Sequence, residues 1–492
     1  MLLKLWWRRA VIVTDPAAVN GLLKRSLDGS KFAEVGAFNM VVSSKGHSSV
    51  FSALSTTEPY WKLVRKGAAP AFNPQNLRRG FHHIPETALE VCDLLQGLGP
   101  GTVVKVDNLL QRQSLDVVGR MGFGHNFGAV QGYLSRDEYD DVFTHAIKAL
   151  PEVINRVTNP LRKYLWFLPS VRQAHYHAAA FRSSMQQLLK TIRARGPPAD
   201  DDMSIVAHLL RLKDPFTGQG LSDERLLPEI GTFFIAAFDT TGQTLSWTLS
   251  LLAQHPEAEA LLCEELQGLG LLATPENPSP RPVEYEDLSK LTYLNACLKE
   301  SMRMLPVAAG GTSRVFPHDV VAGDYVIPAN TLIWIQLFCV QNSPRAWEQP
   351  ECFLPERWLE PGVEYWAPPN SKAPPAAPGS TYPPAGDIKR NSALPSSPAS
   401  AGAAADAADG DSVGERVLRF IPFSLGSRDC MGQSLAKLNM TASLATLLGR
   451  FHFDLAPEML GPGGIQECDH FKFSLQAADG MKMLARPRVS SE

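Results

Sequence analysis

The feature that most constrains this chain is a continuous helical pattern over residues 222–254, about 33 residues long. Ser222 can cap this helix, acidic residues fill its first turn, and His255-Pro256 ends it. Apolar side chains occur nearly all round its circumference, which is typical of a helix that is buried on every side. We therefore expect this helix to run through the middle of a large core.

Most of the remaining sequence also has apolar residues three and four apart, broken by Gly, Pro and Asn. The N-terminal stretch MLLKLWWRRAVIVTDP predicts an edge strand followed by a helix near Asp15-Pro16. Later in the chain, GDYVIPANTLIWIQLF alternates as a strand does, and 471–486 predicts a strand pair around an Asp479-Gly480 turn. The pattern predicts a mainly α fold with small β-sheets. Further helices are predicted over 17–28, 61–69, 85–97, 107–121, 136–157, 172–194, 202–212 and 285–304.

The composition excludes several classes of protein. The 492 residues are 44% hydrophobic and 20% charged, as in an ordinary globular chain. The net charge of −3 gives no basic excess, so we expect no nucleic-acid partner. Seven cysteines without any CxxC argue against a disulfide framework or a zinc ribbon. No run of ~18 apolar residues predicts a membrane-spanning helix.

One segment differs in composition from the rest of the chain. Of the 44 residues from 367 to 410, 32 are Ala, Pro, Gly or Ser. Such a segment cannot bury enough apolar surface to offset the entropy of ordering it, so we expect a disordered surface insertion. The chain over 1–492 is otherwise expected to form a single domain.

The most informative motif is FxxGxRxCxG, formed by Phe423, Gly426, Arg428, Cys430 and Gly432. A chance match in a chain of this length has a probability on the order of one in ten thousand. The motif resembles the haem-binding loop of the cytochrome P-450 family of haem-thiolate monooxygenases. A buried structural cysteine is the alternative interpretation of Cys430.

The residue types in this motif suit a haem-thiolate site. Cys430 would be the iron ligand, and it precedes a helix whose dipole and free N–H groups favour a thiolate. Gly426 and Gly432 would let the backbone approach the macrocycle and adopt dihedrals that other residues avoid. Phe423 would shield the sulfur from water, and Arg428 would pair with a haem propionate.

A second motif lies on the long central helix, where the sequence AAFDTT over 236–241 resembles the family's (A/G)GxDTT oxygen-activation motif. Cleavage of O₂ requires two protons in a dry pocket, and Asp239 and Thr240 are the candidates to relay them. Ala237 departs from the family's usual Gly but keeps a small side chain there. An Asp-Thr-Thr sequence facing solvent is the alternative interpretation.

Three further motifs follow the family's order along the chain. Glu300 and Arg303 match ExxR, and the resemblance joins them to Arg357 of the PERW sequence as a buried structural triad. Trp61 and Arg65 match the WxxxR helix, whose side chains are propionate donors in the family.

Arg314 has the position of another propionate arginine in the family. For each of these arginines, and most of all for Arg314, an ordinary surface charge is the alternative.

The resemblance implies a cytochrome P-450 fold with haem b held between the long central helix and the cysteine loop and its helix. Eukaryotic members begin with a membrane helix and a Pro-rich hinge, which are missing before VIVTDP, so we expect the native anchor to be absent from this chain. The family implies association with the endoplasmic reticulum or plastid membrane, and peripheral membrane contact is left open.

Three functions remain open at this point. The first is a monooxygenase that inserts one atom of O₂ into a hydrophobic substrate, with NADPH-derived electrons from a flavoprotein reductase or a ferredoxin. The second is a haem-thiolate isomerase or dehydratase acting on a peroxide, and the third is a non-catalytic haem-binding protein. Asp239 and Thr240 favour the first.

We expect the redox partner to dock near Arg428 and Lys437. By analogy, the substrate pocket would be lined by Phe51, Leu54, Phe234, Ala237, Phe238, residues 307–310 and Gln476.

Overall fold

A computed structural model describes nine stretches of the chain: 2–5, 8–24, 29–31, 33–134, 142–323, 325–359, 419–460, 469–471 and 474–489. The insertion predicted over 367–410 lies outside the described residues, as do parts of the helices predicted over 17–28 and 136–157.

Helices dominate the described part of the chain, as the sequence predicts. The α-helices are α1 (Pro16–Lys24), α2 (Asn39–Val42), α3 (Pro59–Ala68), α4 (Pro74–Gly80), α5 (His83–Leu98), α6 (Val106–Phe123), α7 (Val142–Thr158), α8 (Pro169–Ala194), α9 (Ile205–Arg211), α10 (Asp223–Gln254), α11 (Pro256–Gly268), α12 (Thr292–Met304), α13 (Leu337–Gln341) and α14 (Gln433–Arg450). Among the described residues, no helix is long and apolar enough to cross a membrane.

The strands form small sheets beside the helices. They are β1 (Leu2–Leu5), β2 (Arg8–Val13), β3 (Val103–Lys105), β4 (Thr312–Val315), β5 (Val320–Ala322), β6 (Tyr325–Ile327), β7 (Leu332–Ile335), β8 (Phe451–Leu455), β9 (Asp469–Phe471), β10 (Leu475–Ala477) and β11 (Lys482–Pro487). One sheet has the order β1-β2-β7-β4, in which β2 and β7 run parallel. A second has the order β3-β11-β8, and two strand pairs, β9-β10 and β5-β6, complete the set described.

The N-terminal prediction is refined rather than overturned. The predicted single edge strand is a hairpin, with β1 at the sheet edge and β2 inside it. The helix begins at Pro16 as expected, and the Ala18 N–H donates to Asp15 Oδ2 at 2.9 Å.

The predicted pairing of strands within 471–486 is wrong. β10 pairs with β9, so that Leu475 lies opposite Phe471, whereas β11 pairs with β8 and β3. The reason lies just after the Asp479-Gly480 turn, where Met481 exchanges hydrogen bonds with the start of α6. Its N–H donates to Asp107 Oδ1 at 3.0 Å and its carbonyl accepts from the Val106 N–H at 2.8 Å. These bonds direct β11 away from β10.

The central helix α10 is buried along most of its length and contributes to two hydrophobic core clusters, one at each end. Ser222 occupies its N-cap position, but the Ser222 side chain makes no capping hydrogen bond. Helix α6 crosses α10 closely because Gly242 faces it: a Cβ at Gly242 would lie 2.5 Å from Gln111 Cα. This close crossing places side chains of α6 beside the middle of α10.

Candidate active site

The loop before α14 is folded back on itself so that Cys430 lies just ahead of the helix. The Cys430 N–H donates to the Phe423 carbonyl at 2.9 Å, which closes the loop. The loop needs left-handed backbone at two positions, Ser424 (φ 62°) and Gly426 (φ 78°). Gly432, the N-cap residue of α14, has an ordinary φ of −83°, so the predicted need for unusual dihedrals holds for Gly426 and is wrong for Gly432.

The immediate surroundings of Cys430 differ from the electropositive setting that the sequence suggested. The residue is accessible on one side, but it is enclosed on the others, and this burial raises the pKa of the thiol. The Gly432 N–H and Arg65 act in the opposite direction, whereas Asp429 adds to the rise. The protein alone therefore favours the thiol, and a thiolate here needs the positive charge of a coordinated metal.

Two of the predicted propionate donors, Arg428 and Arg314, carry unsatisfied N–H groups. Arg428 lies 5.1 Å above the ring of buried Trp61 and donates from Nη1 to the Ala53 carbonyl at 2.9 Å. Its Nε and Nη2 are buried without a hydrogen-bond partner, and so is Nε of Arg314. Arg65 instead pairs with Asp429 of the cysteine loop.

The electrostatics of Arg314 and Arg428 indicate a binding site for an anion. Burial lowers the pKa of each guanidinium to about 10, and the charge of Arg428 adds to this shift at Arg314. Neither arginine forms an ion pair within the part of the chain that the structure describes. Buried like charges with free donors are costly unless an anion joins them. A thiol with two carboxylate-binding guanidiniums nearby fits an iron porphyrin that carries two propionates.

On α10, two hydroxyl groups bond to the helix backbone in successive turns. Thr240 Oγ1 donates to the Ala236 carbonyl at 3.0 Å, and Thr244 Oγ1 donates to the Thr240 carbonyl at 2.9 Å. Ala236 is exposed and Ala237 and Thr240 are half-buried, so small side chains leave this face of α10 open. Ala237 packs against the same core cluster as Met431, the neighbour of Cys430.

Asp239 faces the other side of α10 and is 3% exposed. Its Oδ1 accepts a 2.8 Å hydrogen bond from Gln111 Nε2. Burial raises the pKa of Asp239 to about 6, and interactions with Ser474 and Gln111 oppose that rise. The contact with Ser474 is weak, because neither its hydroxyl nor Asp239 Oδ2 completes a hydrogen bond of normal geometry.

Asp239 borders a cavity of about 480 Å³ between α6, α7, α8 and α10. Its polar lining includes Gln111, Lys148, Glu152, Arg162, His177 and Gln476. Glu152, 2% exposed, accepts from Arg162 Nε at 2.8 Å and from Arg156 Nε at 3.1 Å. Among the polar lining residues the sequence pointed to Gln476 alone, and as part of a substrate pocket, since no local motif marks the others.

The predicted triad around Glu300 is present and fully bonded. Glu300 Oε1 accepts from Arg303 Nη2 at 2.8 Å and from Arg357 Nε at 3.0 Å. Trp358 Nε1 donates to Oε2 at 2.8 Å, and Glu300 and Arg303 are both fully buried. The bidentate geometry offsets the desolvation of both charges. The signal that could have found Trp358 is its place inside PERW.

Of the predicted substrate-pocket residues, Gln476 alone lines the described cavity. Phe234 and Phe238 are fully buried and pack edge-to-face with each other; Phe181 packs edge-to-face on Phe234, and Phe143 packs at a tilt on Phe238. Their positions on the inward face of α10 put them in the aromatic core rather than on the open face. Phe51 and Leu54 are exposed at 38% and 37%. The Leu475 N–H donates to the Val307 carbonyl at 2.8 Å, and this bond joins the 307–310 segment to β10.

Comparison with known proteins agrees with this geometry. The family model described as cytochrome P450 (written P-450 here) matches residues 1–375 and 411–463. The chain belongs to the cytochrome P-450 family. It is therefore an oxidoreductase of the P-450 monooxygenase type with the P-450 fold. The match omits residues 376–410, which fall inside the low-complexity segment predicted at 367–410.

Relatives within the family are distant. Cytochrome P-450 3A13 of Mus musculus is 23% identical over 89% of this chain and 76% of its own length. The trifunctional (S)-stylopine synthase/(S)-nandinine synthase/(S)-canadine synthase of Argemone mexicana is 24% identical over 93% of this chain and 77% of its own length. The bifunctional cytochrome P-450/NADPH–P-450 reductase 1 of Bacillus subtilis is 25% identical over 62% of this chain and 27% of its own length. The P-450 relatives thus include a fusion to a reductase, of which this chain spans about a quarter.

Proposed function

We propose that this protein inserts one atom of O₂ into a hydrophobic organic substrate and reduces the other to water, with electrons that originate from NADPH. The observation that carries the proposal is the acid–alcohol pair on α10. Asp239 is buried on one side of α10 and has a pKa of about 6, and the next residue, Thr240, lies on the open face. A pKa close to neutral is what proton delivery near neutral pH requires. Family members that act as peroxide isomerases or dehydratases often lack such a pair.

The residues would hold haem b from two sides. Cys430 would be the iron ligand, and Phe423, Gly426 and Gly432 would form the loop around it. Trp61, Arg65, Arg314 and Arg428 would receive the two carboxylates, for which Arg314 and Arg428 have free donors. A thiolate-bound haem supplies the chemistry that activates O₂ and favours O–O cleavage.

Protons would reach the site through the polar cavity. Asp239 would take a proton from water in that cavity, since its pKa lies close to neutral pH. Gln111 would orient the carboxyl through its 2.8 Å hydrogen bond. Thr240 Oγ1 already shares its proton with a backbone carbonyl at 3.0 Å, so it can hold and hand on a proton at the open face of α10.

The redox partner would dock on the cysteine side, where the sequence predicted contact near Arg428 and Lys437. Both residues are half-buried, and burial lowers the pKa of Lys437 to about 7, so exposed lysines nearby offer a more accessible positive charge. Lys62 and Lys66 of α3 are exposed on the helix whose Arg65 contacts the cysteine loop. We infer that these two lysines steer an acidic flavoprotein or ferredoxin to the cysteine side.

This docking surface is testable by reversing its charge. The double variant Lys62→Glu/Lys66→Glu should slow reduction by the partner about tenfold at low ionic strength and less at high ionic strength. The control is Lys190→Glu, which changes an exposed lysine of α8 far from the cysteine loop in sequence. The partner should reduce this variant at the wild-type rate. Equal rates for all three proteins would overturn this docking surface.

Peripheral membrane contact has a structural candidate in the segment 160–168. Tyr164, Trp166 and Phe167 are exposed at 64%, 71% and 58%, next to exposed Lys163. Aromatic rings beside a cation suit the interface of a lipid bilayer. Trp166→Ser/Phe167→Ser should weaken binding to anionic phospholipid vesicles, whereas Phe216→Ser, which removes another exposed ring, should not.

The reaction class is tested by turnover with labelled O₂. The haem-loaded protein, a reductase, NADPH and a library of apolar compounds should give products that carry one labelled oxygen atom. Consumption of an organic hydroperoxide without any reductant, and no labelled product, would favour the isomerase or dehydratase instead. Absence of both activities in a haem-loaded protein would favour the non-catalytic function.

A further inference from the structure

A short segment with no motif of its own lies against the anion-binding arginines. Ser30 pairs with Val315 at the end of β4 through two backbone hydrogen bonds of 2.8 and 2.9 Å. The Lys31 N–H donates to the Leu54 carbonyl at 2.7 Å. Residues 29–31 therefore bridge the strand that carries Arg314 and the loop that precedes α3.

The Lys31 side chain is half-buried, and its ammonium lies beside this cluster. It donates to the Phe51 carbonyl and sits 4.4 Å above the ring of the same residue. Arg428 donates to the Ala53 carbonyl, so two carbonyls only two residues apart hold two cations. Burial lowers the pKa of Lys31 well below its usual value, and the charges of Arg428 and Arg314 add to the shift.

A structural role alone does not account for a lysine at this position. Carbonyl and ring contacts compensate a half-buried ammonium only in part, and two further cations lie close to it. Lys31 forms no ion pair with any acid in the residues that the structure describes. Three cations lie close together here, and two of them, Arg314 and Arg428, have buried donors without a partner, which indicates an anionic ligand shared by the cluster.

We propose that Lys31 is an additional cation of the propionate-binding cluster and pairs with a haem carboxylate between Arg314 and Arg428. This inference rests on haem binding as set out above. The pairing would tighten haem retention and raise the haem reduction potential, because a neutralised carboxylate stabilises the oxidised iron less. Lys31 is a positioning residue for the cofactor and takes no part in the chemistry at the iron.

The test compares variants of the haem-loaded protein that separate charge from hydrogen bonding. Lys31→Gln keeps a donor for the Phe51 carbonyl and removes the charge, whereas Lys31→Arg keeps both. Lys45→Gln is the control, because Lys45 is exposed and pairs with Glu224 on the surface. The readouts are the rate of haem transfer to apomyoglobin and the haem reduction potential, and neither depends on turnover.

We expect Lys31→Gln to lose haem about tenfold faster than the wild type, the scale of one hydrogen bond to a charged group, and to have a lower potential. Lys31→Arg and Lys45→Gln should match the wild type. Two outcomes overturn the proposal: wild-type retention and potential in Lys31→Gln, or equal loss in Lys31→Gln and Lys31→Arg. If Lys31→Gln does not fold, Lys31→Met, which removes the charge and the donor together, is compared with Lys31→Arg, and the proposal then requires faster haem loss from Lys31→Met. A wild type that binds no haem would instead contradict the proposed function.

Discussion

Gln111 of α6 donates a 2.8 Å hydrogen bond to Asp239 in the middle of α10, and both side chains are buried. The bond crosses between two helices that Gly242 allows to approach closely. It favours the ionised form of a carboxyl whose burial favours the neutral form. Gln111 therefore sets the pH range in which Asp239 can exchange protons.

Removing this donor should shift the pH dependence of turnover. Gln111→Leu takes away one hydrogen bond to the ionised carboxyl, so the pKa of Asp239 should rise further above 6. The acidic limb of kcat should move to higher pH by about one unit. Gln173→Leu, which alters an exposed residue of the same cavity, should leave the profile in place. An unchanged limb in Gln111→Leu would remove Asp239 from the proton pathway.

Asp239 should also reduce stability at neutral pH. Its pKa is about 6 in the folded protein against 3.8 for an ordinary aspartate, so folding favours the protonated form. The free energy of unfolding then falls as pH rises through this window and stays lower above it. Asp239→Asn should be more stable than the wild type by about 3 kcal/mol at pH ~8 and equal to it at pH ~3.5, measured by urea unfolding. A difference independent of pH would contradict the assigned pKa.

Thr240 should control how electrons are used rather than whether haem binds. Thr240→Ala should bind haem and accept electrons normally but convert most of the NADPH consumed into hydrogen peroxide, measured by the ratio of product to NADPH. Thr244→Ala is the matched control, because Thr244 makes the same type of bond to the helix backbone one turn later but is buried. Normal coupling in Thr240→Ala would show that the hydroxyl delivers no proton.

The Glu300 triad should act on stability and, through it, on haem loading. Glu300→Gln leaves Arg303 and Arg357 without their charged partner in the interior, and such losses cost about 3–5 kcal/mol. Haem loading and the midpoint of thermal unfolding should both fall. Glu286→Gln breaks the exposed pair with Arg78 and should cost about 1 kcal/mol or less. Equal effects of the two variants would mean that the triad is not a stabilising centre.

The parts of the fold and site that the sequence predicted share one property, which is local spacing. The long helix α10, the loop around Cys430 and the Glu300–Arg303 pair are each encoded within a few turns or residues of chain. Fixed spacing also brings in Trp61 and Arg65, four residues apart on α3. These features need no knowledge of distant contacts.

What the sequence could not predict depends on contacts between distant segments. Gln111 lies 128 residues from Asp239, and its role follows from the crossing of α6 and α10. Lys31 reaches the arginine cluster through β4 and the loop before α3, neither of which marks it by a motif. The strand pairing of 471–486 failed for the same reason, because α6 holds Met481 and redirects β11.

The reduced carbon-monoxide difference spectrum of the haem-loaded protein tests the central claim most directly. A strongly red-shifted Soret band in the wild type, lost in Cys430→Ala and retained in Cys352→Ala, is the result expected for a thiolate from Cys430. Cys352 is a suitable control because it is a half-buried cysteine outside the loop. A band at the shorter wavelength of neutral-ligand haem in the wild type, or an unchanged red-shifted band in Cys430→Ala, would contradict the assignment.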